Sequence, residues 1–470
     1  MLRRRFCHKR GMNAKVPSVR NQPDPYSGLT DREIDQLFHS LNNFSKIALA
    51  VSGGGDSVCL LIAFCEWRSR QNWEGACEVV VVDHKLRPES SQEACFVREL
   101  SEQYGLHCHI LKWTEDKPVT GLQEAARDAR YQLIAKQTAV SDFEAVLLAH
   151  HLDDQAETFL DRLTRGSGLN GLGAMASDEP EGPAGLRLLR PFLGVPKSRL
   201  LATLEDRGQK WCEDPSNKSL KYKRSRLRSI SSTLAEEGLS PSRIAITARQ
   251  LRRAREALET VLAELFRLHV EEHQAGPVKT STLMLRAQSE EFRLRLLILM
   301  IERVTGRVYQ PKLRKIEALD HWILNNKVGR QTLGGAVLEM KRDTLFVWKE
   351  IGRSPPVVLE NLCGEGKWDA RYLFDVQAAG GAPPNGMTVS LGPLFNAPVD
   401  RRQISWPNGW PKDAFESAPV FWIGNGPVGV RSAASLIWHD ARRGGYEISL
   451  QRIPVPAKLA GNYRTDLEGS

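Results

Sequence analysis

The chain of 470 residues lacks several features that would place it in a common class of protein. It has no run of about 18 apolar residues, so we predict no membrane-spanning helix and no membrane partner. Its eight cysteines include no C-x-x-C pair. Their scatter argues against a disulfide framework or a structural zinc site, and it fits a reducing, cytoplasmic compartment. No internal repeat is evident either.

The N-terminal end is basic and also lacks a secretory signal, because no apolar stretch occurs in its first 25 residues. We predict a disordered tail over residues 1–28, with an Arg-rich transit peptide or a true start at Met12 as alternatives. Lys and Arg number 65 against 56 acidic residues, a net charge of +9. This balance suits a nucleic-acid partner, although many basic enzymes never bind one.

The stretch that organises the chain is residues 46–57, KIALAVSGGGDS. An apolar run typical of a buried strand ends in a glycine turn, and a helical pattern follows. Such a turn lets backbone N–H groups approach a phosphate at the positive end of a helix. The spacing matches neither G-x-G-x-x-G nor a Walker A loop. The phosphate-binding candidates are Ser52, Gly53, Gly54, Gly55, Asp56 and Ser57.

Asp56 would stand beside a polyphosphate, which makes chemical sense when Mg²⁺ lies between the two anions. The alternative for the whole stretch is a tight turn in which Asp56 only caps a helix. Three successive glycines between two serines favour phosphate binding over this alternative.

Strand and helix patterns alternate from residue 46 to about residue 163. This alternation predicts an α/β fold with a doubly wound parallel sheet and helices on both faces. Ligands in such sheets bind at the carboxyl ends of the strands. Asp83 and His84 follow the second predicted strand, where they could hold adenine or ribose; the alternative is a plain polar loop.

A third strand end carries AHHLDDQAET, residues 149–158. Asp153 and Glu157 are four positions apart and share one face of the following helix, with Asp154 beside them and His151 before them. These groups could bind Mg²⁺ on ATP or a cationic substrate. Two alternatives are simple helix caps and a transition-metal site.

The motifs SGGGDS, VDHKLR, AHHLDDQAET, LRPF and DPSN occur in this order between residues 46 and 230. Together they resemble the tRNA(Ile)-lysidine synthetases, a family of PP-loop ATP pyrophosphatases. The resemblance implies an enzyme that adenylates C2 of the wobble cytidine in tRNA(Ile) with a CAU anticodon. Lysine then displaces AMP to give lysidine, so that AUA is read as isoleucine. ATP and Mg²⁺ would be required, tRNA and L-lysine would be the partners, and a homodimer is one candidate assembly.

For the site, the resemblance implies that Asp56, His151, Asp153, Asp154 and Glu157 take part in catalysis. In the family motif Arg-Asn-x-x-Arg, this chain has Ser225 in the place of asparagine, and serine can still form a hydrogen bond. The residues expected to contact tRNA or lysine are Arg190, Asp214, Asn217, Arg224, Arg226 and Arg228.

The remainder of the chain changes character twice. We predict an ATP pyrophosphatase domain over residues 29–230 and a helical tRNA-binding domain over 231–328. Residues 329–470 are rich in Gly, Pro and Trp, and we predict a small, irregular α/β or β-rich region that could contact the acceptor stem.

Two other functions remain open. A tRNA thiolase of the same superfamily would typically need a cysteine pair for sulfur relay, and C-x-x-C is absent here. A non-catalytic tRNA-binding protein could retain a degenerate nucleotide fold, although the intact SGGGDS and HHLDDQAET argue against it.

Overall fold

A computed structural model describes most of the chain. The described residues are 24, 26–86, 89–118, 120–213, 223–307, 309, 311–326, 328–352, 355–378, 387–425, 431–435, 441–443 and 446–453. The chain forms two compact units: residues 1–161 with 174–249, and residues 162–173 with 250–470. The domain boundaries near residues 230 and 328 remain predictions. Within the described part, no helix is long and apolar enough to cross a bilayer.

The first unit is built on a six-stranded sheet. Its strands are β1 (Lys46–Ala50), β2 (Ala76–Asp83), β3 (Cys108–Lys112), β4 (Ala145–Leu147), β5 (Asp178–Glu179) and β6 (Leu188–Leu189). Their order is β3-β2-β1-β4-β6-β5, and every neighbouring pair is parallel except β5 with β6. The connections leave β1 in opposite directions, so the sheet's topological switch point lies between β1 and β4.

Helices cover both faces of this sheet, as the alternating pattern predicts. The helices along this part of the chain are α1 (Asp31–Phe38), α2 (Gly55–Gln71), α3 (Glu89–Gln103), α4 (Leu122–Ser141), α5 (Leu152–Leu163), α6 (Leu169–Leu172), α7 (Lys197–Asp206), α8 (Lys223–Ser229) and α9 (Ser231–Glu236), and α6 belongs to the second unit. Leu49, Phe64 and Leu200 belong to the core on one face, while Tyr131 and Ile134 of α4 pack on the other. The α/β fold class is therefore confirmed, with one antiparallel edge strand that the sequence pattern did not predict.

The second unit combines helices with antiparallel sheets. Its helices are α10 (Pro241–His269, which begins in the first unit), α11 (Thr282–Ala287), α12 (Glu290–Thr305) and α13 (Leu313–Asn325). A five-stranded sheet has the order β7-β8-β11-β10-β9. Its strands are β7 (Val270–Glu272), β8 (Val278–Ser281), β9 (Gly329–Leu333), β10 (Ala336–Lys341) and β11 (Thr344–Lys349). Eight buried apolar residues of α12, among them Ile298 and Met300, belong to the hydrophobic core that packs against this sheet.

Two further antiparallel sheets lie in the C-terminal part. The four-stranded sheet contains β12 (Gly364–Trp368), β13 (Tyr372–Ala378), β17 (Ala441–Arg443) and β18 (Tyr446–Arg452) in the order β12-β13-β18-β17. The three-stranded sheet contains β14 (Met387–Pro393), β15 (Pro419–Asn425) and β16 (Arg431–Ser435). The C-terminal region is thus β-rich, as expected, but more regular than its composition suggests.

Several local predictions need correction. Residues 231–328, predicted to be helical, contain helices but also β7 and β8. Here β8 pairs with β11, far along the chain, and β7 pairs with β8. β10 and β11 form an antiparallel hairpin, and the strand β9 precedes them. Gly334 and Gly335 both have positive φ and make a turn, so β9 ends at Leu333 and β10 begins at Ala336. Residues 428–430, whose sequence Val-Gly-Val also suggests a short strand, lie outside the described residues.

Candidate active site

The glycine loop joins β1 to α2 at the switch point of the sheet. Gly53 has φ +89°, a conformation that side-chain-bearing residues rarely adopt. Gly54 caps α2 without a side-chain hydrogen bond, which leaves the helix N-terminus facing the loop. The Ser57 hydroxyl donates to the Gly54 carbonyl at 2.9 Å and accepts from the Ser52 N–H at 3.1 Å. The loop is therefore braced from within by the two serines.

The underside of the loop is closely packed, which explains the glycines there. A Cβ on Gly55 would lie 2.6 Å from Leu201 Cδ2 and 3.4 Å from Trp211 Cδ1. The Cys212 N–H donates to the Gly53 carbonyl at 2.9 Å. Residues that follow α7 thus support the loop from behind and fix the direction of its backbone.

His151 brings three carboxylates together at the end of β4. The side chain is 2% exposed, and its ring nitrogens lie 3.5 Å from Asp56 Oδ2, 3.5 Å from Asp153 Oδ2 and 3.4 Å from Asp154 Oδ2. Burial acts to lower the pKa of His151, but Asp153, Asp56 and Asp154 outweigh it and raise the pKa to about 9. The imidazole is therefore a buried cation at neutral pH.

Asp56 and Asp153 keep low pKa values in this setting. Burial alone would raise the pKa of Asp56, yet His151 and Lys197 together hold it below its usual value. Burial likewise acts to raise the pKa of Asp153, but His151 outweighs it and holds the pKa below its usual value. The Asp153 carboxylate also accepts the Lys197 N–H at 2.9 Å, which lowers the pKa further. Asp154 accepts the His151 N–H at 3.0 Å. Asp56 and Asp153 thus remain anionic at neutral pH and can act as ligands for cations.

Lys197 is a site residue that the sequence reasoning did not identify. Its Nζ donates to Asp56 Oδ2 at 3.0 Å. The pair is separated by 141 positions in the sequence, so no local pattern could reveal it. The one available signal was that Lys197 opens a helix shortly after the motif LRPF.

Glu157 lies on α5 and pairs with Arg228 on α8. The Arg228 Nε and Nη2 atoms both lie 2.7 Å from Glu157 Oε1. Two residues predicted for lysine and tRNA are therefore in direct contact. The exposed Arg226 lies on the same short helix. Of Arg224 only the backbone within α8 is described, and Asp214 and Asn217 lie outside the described residues.

Arg190 is buried and its nitrogens are engaged within the first unit. Its Nη2 donates to Glu179 Oε2 at 2.7 Å, its Nη1 to the Ala176 carbonyl at 2.8 Å and its Nε to His150 Nδ1 at 3.2 Å. With 3% exposure, Arg190 orders the end of β4 by way of His150. A direct contact between Arg190 and tRNA would first require these bonds to break.

Asp83 and His84 lie at the end of β2, beside β1. Asp83 is buried and accepts from the Lys85 N–H at 2.9 Å, the Ser91 hydroxyl at 2.7 Å and the Ser90 hydroxyl. Burial would raise the pKa of Asp83, but these bonds hold it low. Its side chain thus orders the start of α3. His84 packs edge-on against Trp113, with ring centroids 6.0 Å apart, and its buried Nδ1 has no hydrogen-bond partner among the described residues.

Magnesium fits this site through Asp56. Its Oδ1 is buried and has no hydrogen-bond partner in the part of the chain that the structure describes, so it can serve as a ligand. Nucleotide-bound Mg²⁺ needs only one or two carboxylates besides phosphate oxygens and water. Among those same residues, no set of three His, Cys, Asp and Glu side chains has the arrangement of a metal site.

Comparison with known proteins assigns the family. Residues 28–234 match the PP-loop domain model. The chain is 37% identical to a tRNA(Ile)-lysidine synthase of Bradyrhizobium over 71% of this chain and 97% of that protein. It is 35% identical to the tRNA(Ile)-lysidine synthase of Ruegeria pomeroyi over 81% of this chain and 86% of that protein.

A solved U34-tRNA thiolase from Methanococcus maripaludis is also similar, at 16% identity over 47% of this chain and 77% of that chain, with a TM-score of 0.40. The two curated relatives are far more similar and extend well beyond the PP-loop domain. On their evidence, this chain belongs to the tRNA(Ile)-lysidine synthase family of PP-loop, ATP-dependent ligases.

Proposed function

We propose that this enzyme adenylates C2 of the wobble cytidine in tRNA(Ile) with a CAU anticodon and then replaces AMP by L-lysine. The observation that carries the proposal is the contact of His151 with both Asp56 of the glycine loop and the Asp153–Asp154 pair. The ATP-binding motif and the motif for a cationic nucleophile therefore form one site at the switch point of the sheet.

In the first step, the cytosine carbonyl oxygen forms a bond to the α-phosphorus while the bond to pyrophosphate breaks. The glycine-loop N–H groups and the N-terminus of α2 point toward the leaving group and can stabilise its charge. Asp56 would hold Mg²⁺, which supplies positive charge to the phosphates when bound. Ser52 and Ser57 keep the loop in the required conformation.

In the second step, a lysine amine forms a bond to C2, the C2–O bond to AMP breaks, and a carboxylate of the site takes the proton that the amine loses. Before attack, the ammonium groups of lysine need anionic ligands, and Asp153, Asp154 and Glu157 supply them from adjacent turns of α5. His151 positions two of these carboxylates through its contacts at 3.4 and 3.5 Å. Arg228 must release Glu157 if this carboxylate is to bind lysine.

The tRNA would be bound by the cations near the site and by the second unit. Arg226 and Arg228 lie on α8, directly after the basic stretch of residues 218–222, which is outside the described residues. We propose that these cations contact the anticodon stem-loop phosphates. A homodimer would add a second copy of this surface.

The test is ATP-dependent incorporation of labelled lysine into a tRNA(Ile) transcript with the CAU anticodon. Elongator tRNA(Met), which has the same anticodon, is the control RNA. We expect labelling of tRNA(Ile) alone. AMP release without lysine incorporation would contradict the proposed nucleophile and point to a different one, with sulfur as the first candidate.

Asp56→Ala tests the glycine loop within the same assay. We expect AMP formation to fall by at least about 10²-fold, because the leaving group loses its metal contact, while tRNA affinity stays unchanged. Asp35→Ala is the matched control, since Asp35 pairs with Arg70 at 2.7 Å on the surface of the same unit. Full activity of Asp56→Ala would overturn the assignment of this residue.

A further inference from the structure

The glycine loop has no cation of its own. Residues 52–57 include neither lysine nor arginine, although they face the most negative part of ATP. In Walker A loops, the lysine beside the glycines reaches the β- and γ-phosphates. A loop without such a lysine must draw positive charge for the leaving pyrophosphate from another segment of the chain.

The fold brings Lys197 to this loop. It is the first residue of α7, and its Nζ lies 3.0 Å from Asp56 Oδ2, at the first turn of α2. A lysine ammonium has three N–H donors, and the bond to Asp56 uses one. The remaining donors can reach phosphate oxygens held by the same turn.

The backbone of Lys197 is held by Asp153, which belongs to the HHLDD segment. Pro196 precedes α7 and offers no side-chain cap, so the Asp153 carboxylate takes that role by accepting the Lys197 N–H at 2.9 Å. Lys197 thus binds Asp153 through its backbone N–H and Asp56 through its side chain. This arrangement orients the ammonium before any nucleotide binds.

Stability alone does not explain the Lys197–Asp56 pair. The two side chains are 36% and 25% exposed, and ion pairs at this exposure contribute only about 0–1 kcal/mol. A pair whose side chains are partly exposed is better suited to receive a second anion.

We propose that Lys197 is a catalytic residue of the adenylation step, whose ammonium binds the β- and γ-phosphates and stabilises the departing pyrophosphate. The inference rests on the proposed function. As the cytosine oxygen bonds to the α-phosphorus, the electron pair of the breaking P–O bond moves onto pyrophosphate. Lys197 offsets that charge and keeps its proton throughout.

The test compares Lys197→Ala and Lys197→Arg with the wild type and with Lys136→Ala. Lys136 lies exposed on α4 of the same unit and controls for the loss of one positive charge. Calorimetric titration with Mg-pyrophosphate and with AMP measures binding separately from turnover. Release of AMP on addition of tRNA(Ile) measures the adenylation step.

For Lys197→Ala we expect the rate of AMP release to fall by about 10²–10³-fold, the loss typical of one leaving-group or oxyanion donor. Pyrophosphate affinity should fall about 10-fold, whereas AMP affinity should not change, because AMP lacks the β- and γ-phosphates. Lys197→Arg should recover part of both losses, and Lys136→Ala should behave as the wild type.

Two results would overturn the proposal. One is a wild-type rate of AMP release by Lys197→Ala. The other is an equal loss of AMP and pyrophosphate affinity, which would mean that Lys197 only maintains the shape of the site. If only the proposed function were wrong, the wild type would still bind pyrophosphate, and AMP release would still depend on Lys197, but no lysidine would form.

Discussion

The two units of the molecule differ in how their strands are connected. In the first unit, the strand order follows from short βα repeats, and the ends of β1 and β4 meet at the switch point. In the second unit, β8 pairs with β11, and β13 pairs with β18, so that residues 372–378 need a partner at 446–452. Both units thus join distant segments, since Ile47 pairs with Ala145 in the first, but the first unit does so with parallel strands and helical crossovers and the second with antiparallel strands.

This difference places function and stability in different kinds of residue. The candidate site of the first unit lies at strand ends and at the first turns of α2, α5 and α7, where charged side chains face one another. In the second unit, buried charged residues tie distant segments together. Polar residues in the two units should therefore respond differently to substitution, and three predictions separate them, from the largest expected effect to the smallest.

Arg371→Ala should give the largest loss of stability. The Arg371 side chain is 1% exposed, pairs with Asp369 at 2.6 Å and donates to the Ser417 carbonyl at 2.8 Å and the Val304 carbonyl at 3.2 Å. Breaking a buried pair of this kind costs about 3–5 kcal/mol. Urea unfolding should show this loss, with proteolysis first in the second unit.

Arg401→Ala provides the control in the same unit. Its pair with Glu416 is half-exposed, so its loss should cost less than about 1 kcal/mol. Similar losses for both variants would mean that Arg371 does not hold the distant segments together, and the contrast between the units would not hold.

The same contrast explains what the sequence could predict. The strand, glycine loop and helix of residues 46–71 follow from a contiguous pattern, and the HHLDD segment lies at the next strand end across the switch point. The strands β7 and β8 were missed because they are only three and four residues long and depend on β11.

Individual side chains show the same limit. Lys197 was missed because its partner Asp56 is 141 positions away. Arg190 is expected to contact substrate because it belongs to the motif LRPF. In the structure its side chain is buried and donates hydrogen bonds to His150, Ala176 and Glu179. A motif identifies which residues belong to a site, but only the folded chain shows whether a side chain faces the ligand or supports a neighbour.

His151→Gln should change how stability depends on pH in the first unit. The pKa of His151 is raised from 6.5 to about 9, so the charged imidazole stabilises the folded state fully below about pH 6.5. This stabilisation disappears as the pH rises through 9. The shift corresponds to an upper limit of about 3 kcal/mol at 1.36 kcal/mol per pH unit.

The measurement is urea unfolding of the nucleotide-free and metal-free protein at pH 6, 7.5 and 9.5. The wild type should lose stability across this range, and His151→Gln should lose much less. Equal slopes for the two proteins would show that the three aspartates do not hold His151 as a cation.

Glu302→Gln, in the second unit, should change stability less than His151→Gln does, and the pH dependence that it removes should lie in a lower pH range. Burial raises the pKa of Glu302 on α12 from 4.5 to about 7, against the lowering effect of the Tyr309 N–H, which donates to its Oε1 at 2.8 Å. The folded state is therefore favoured while the acid is protonated, and this advantage disappears as the pH rises from 4.5 through 7.

Glutamine keeps the acceptor for Tyr309 but carries no charge, so at pH 8 the variant should be more stable by about 2 kcal/mol, allowing for partial exposure. At pH 4 the two proteins should be equal. Glu317→Gln, on the exposed side of α13, should match the wild type at both pH values. A gain at pH 8 that persists at pH 4 would mean that glutamine improves packing, and the separate pH ranges of the two units would lose their support.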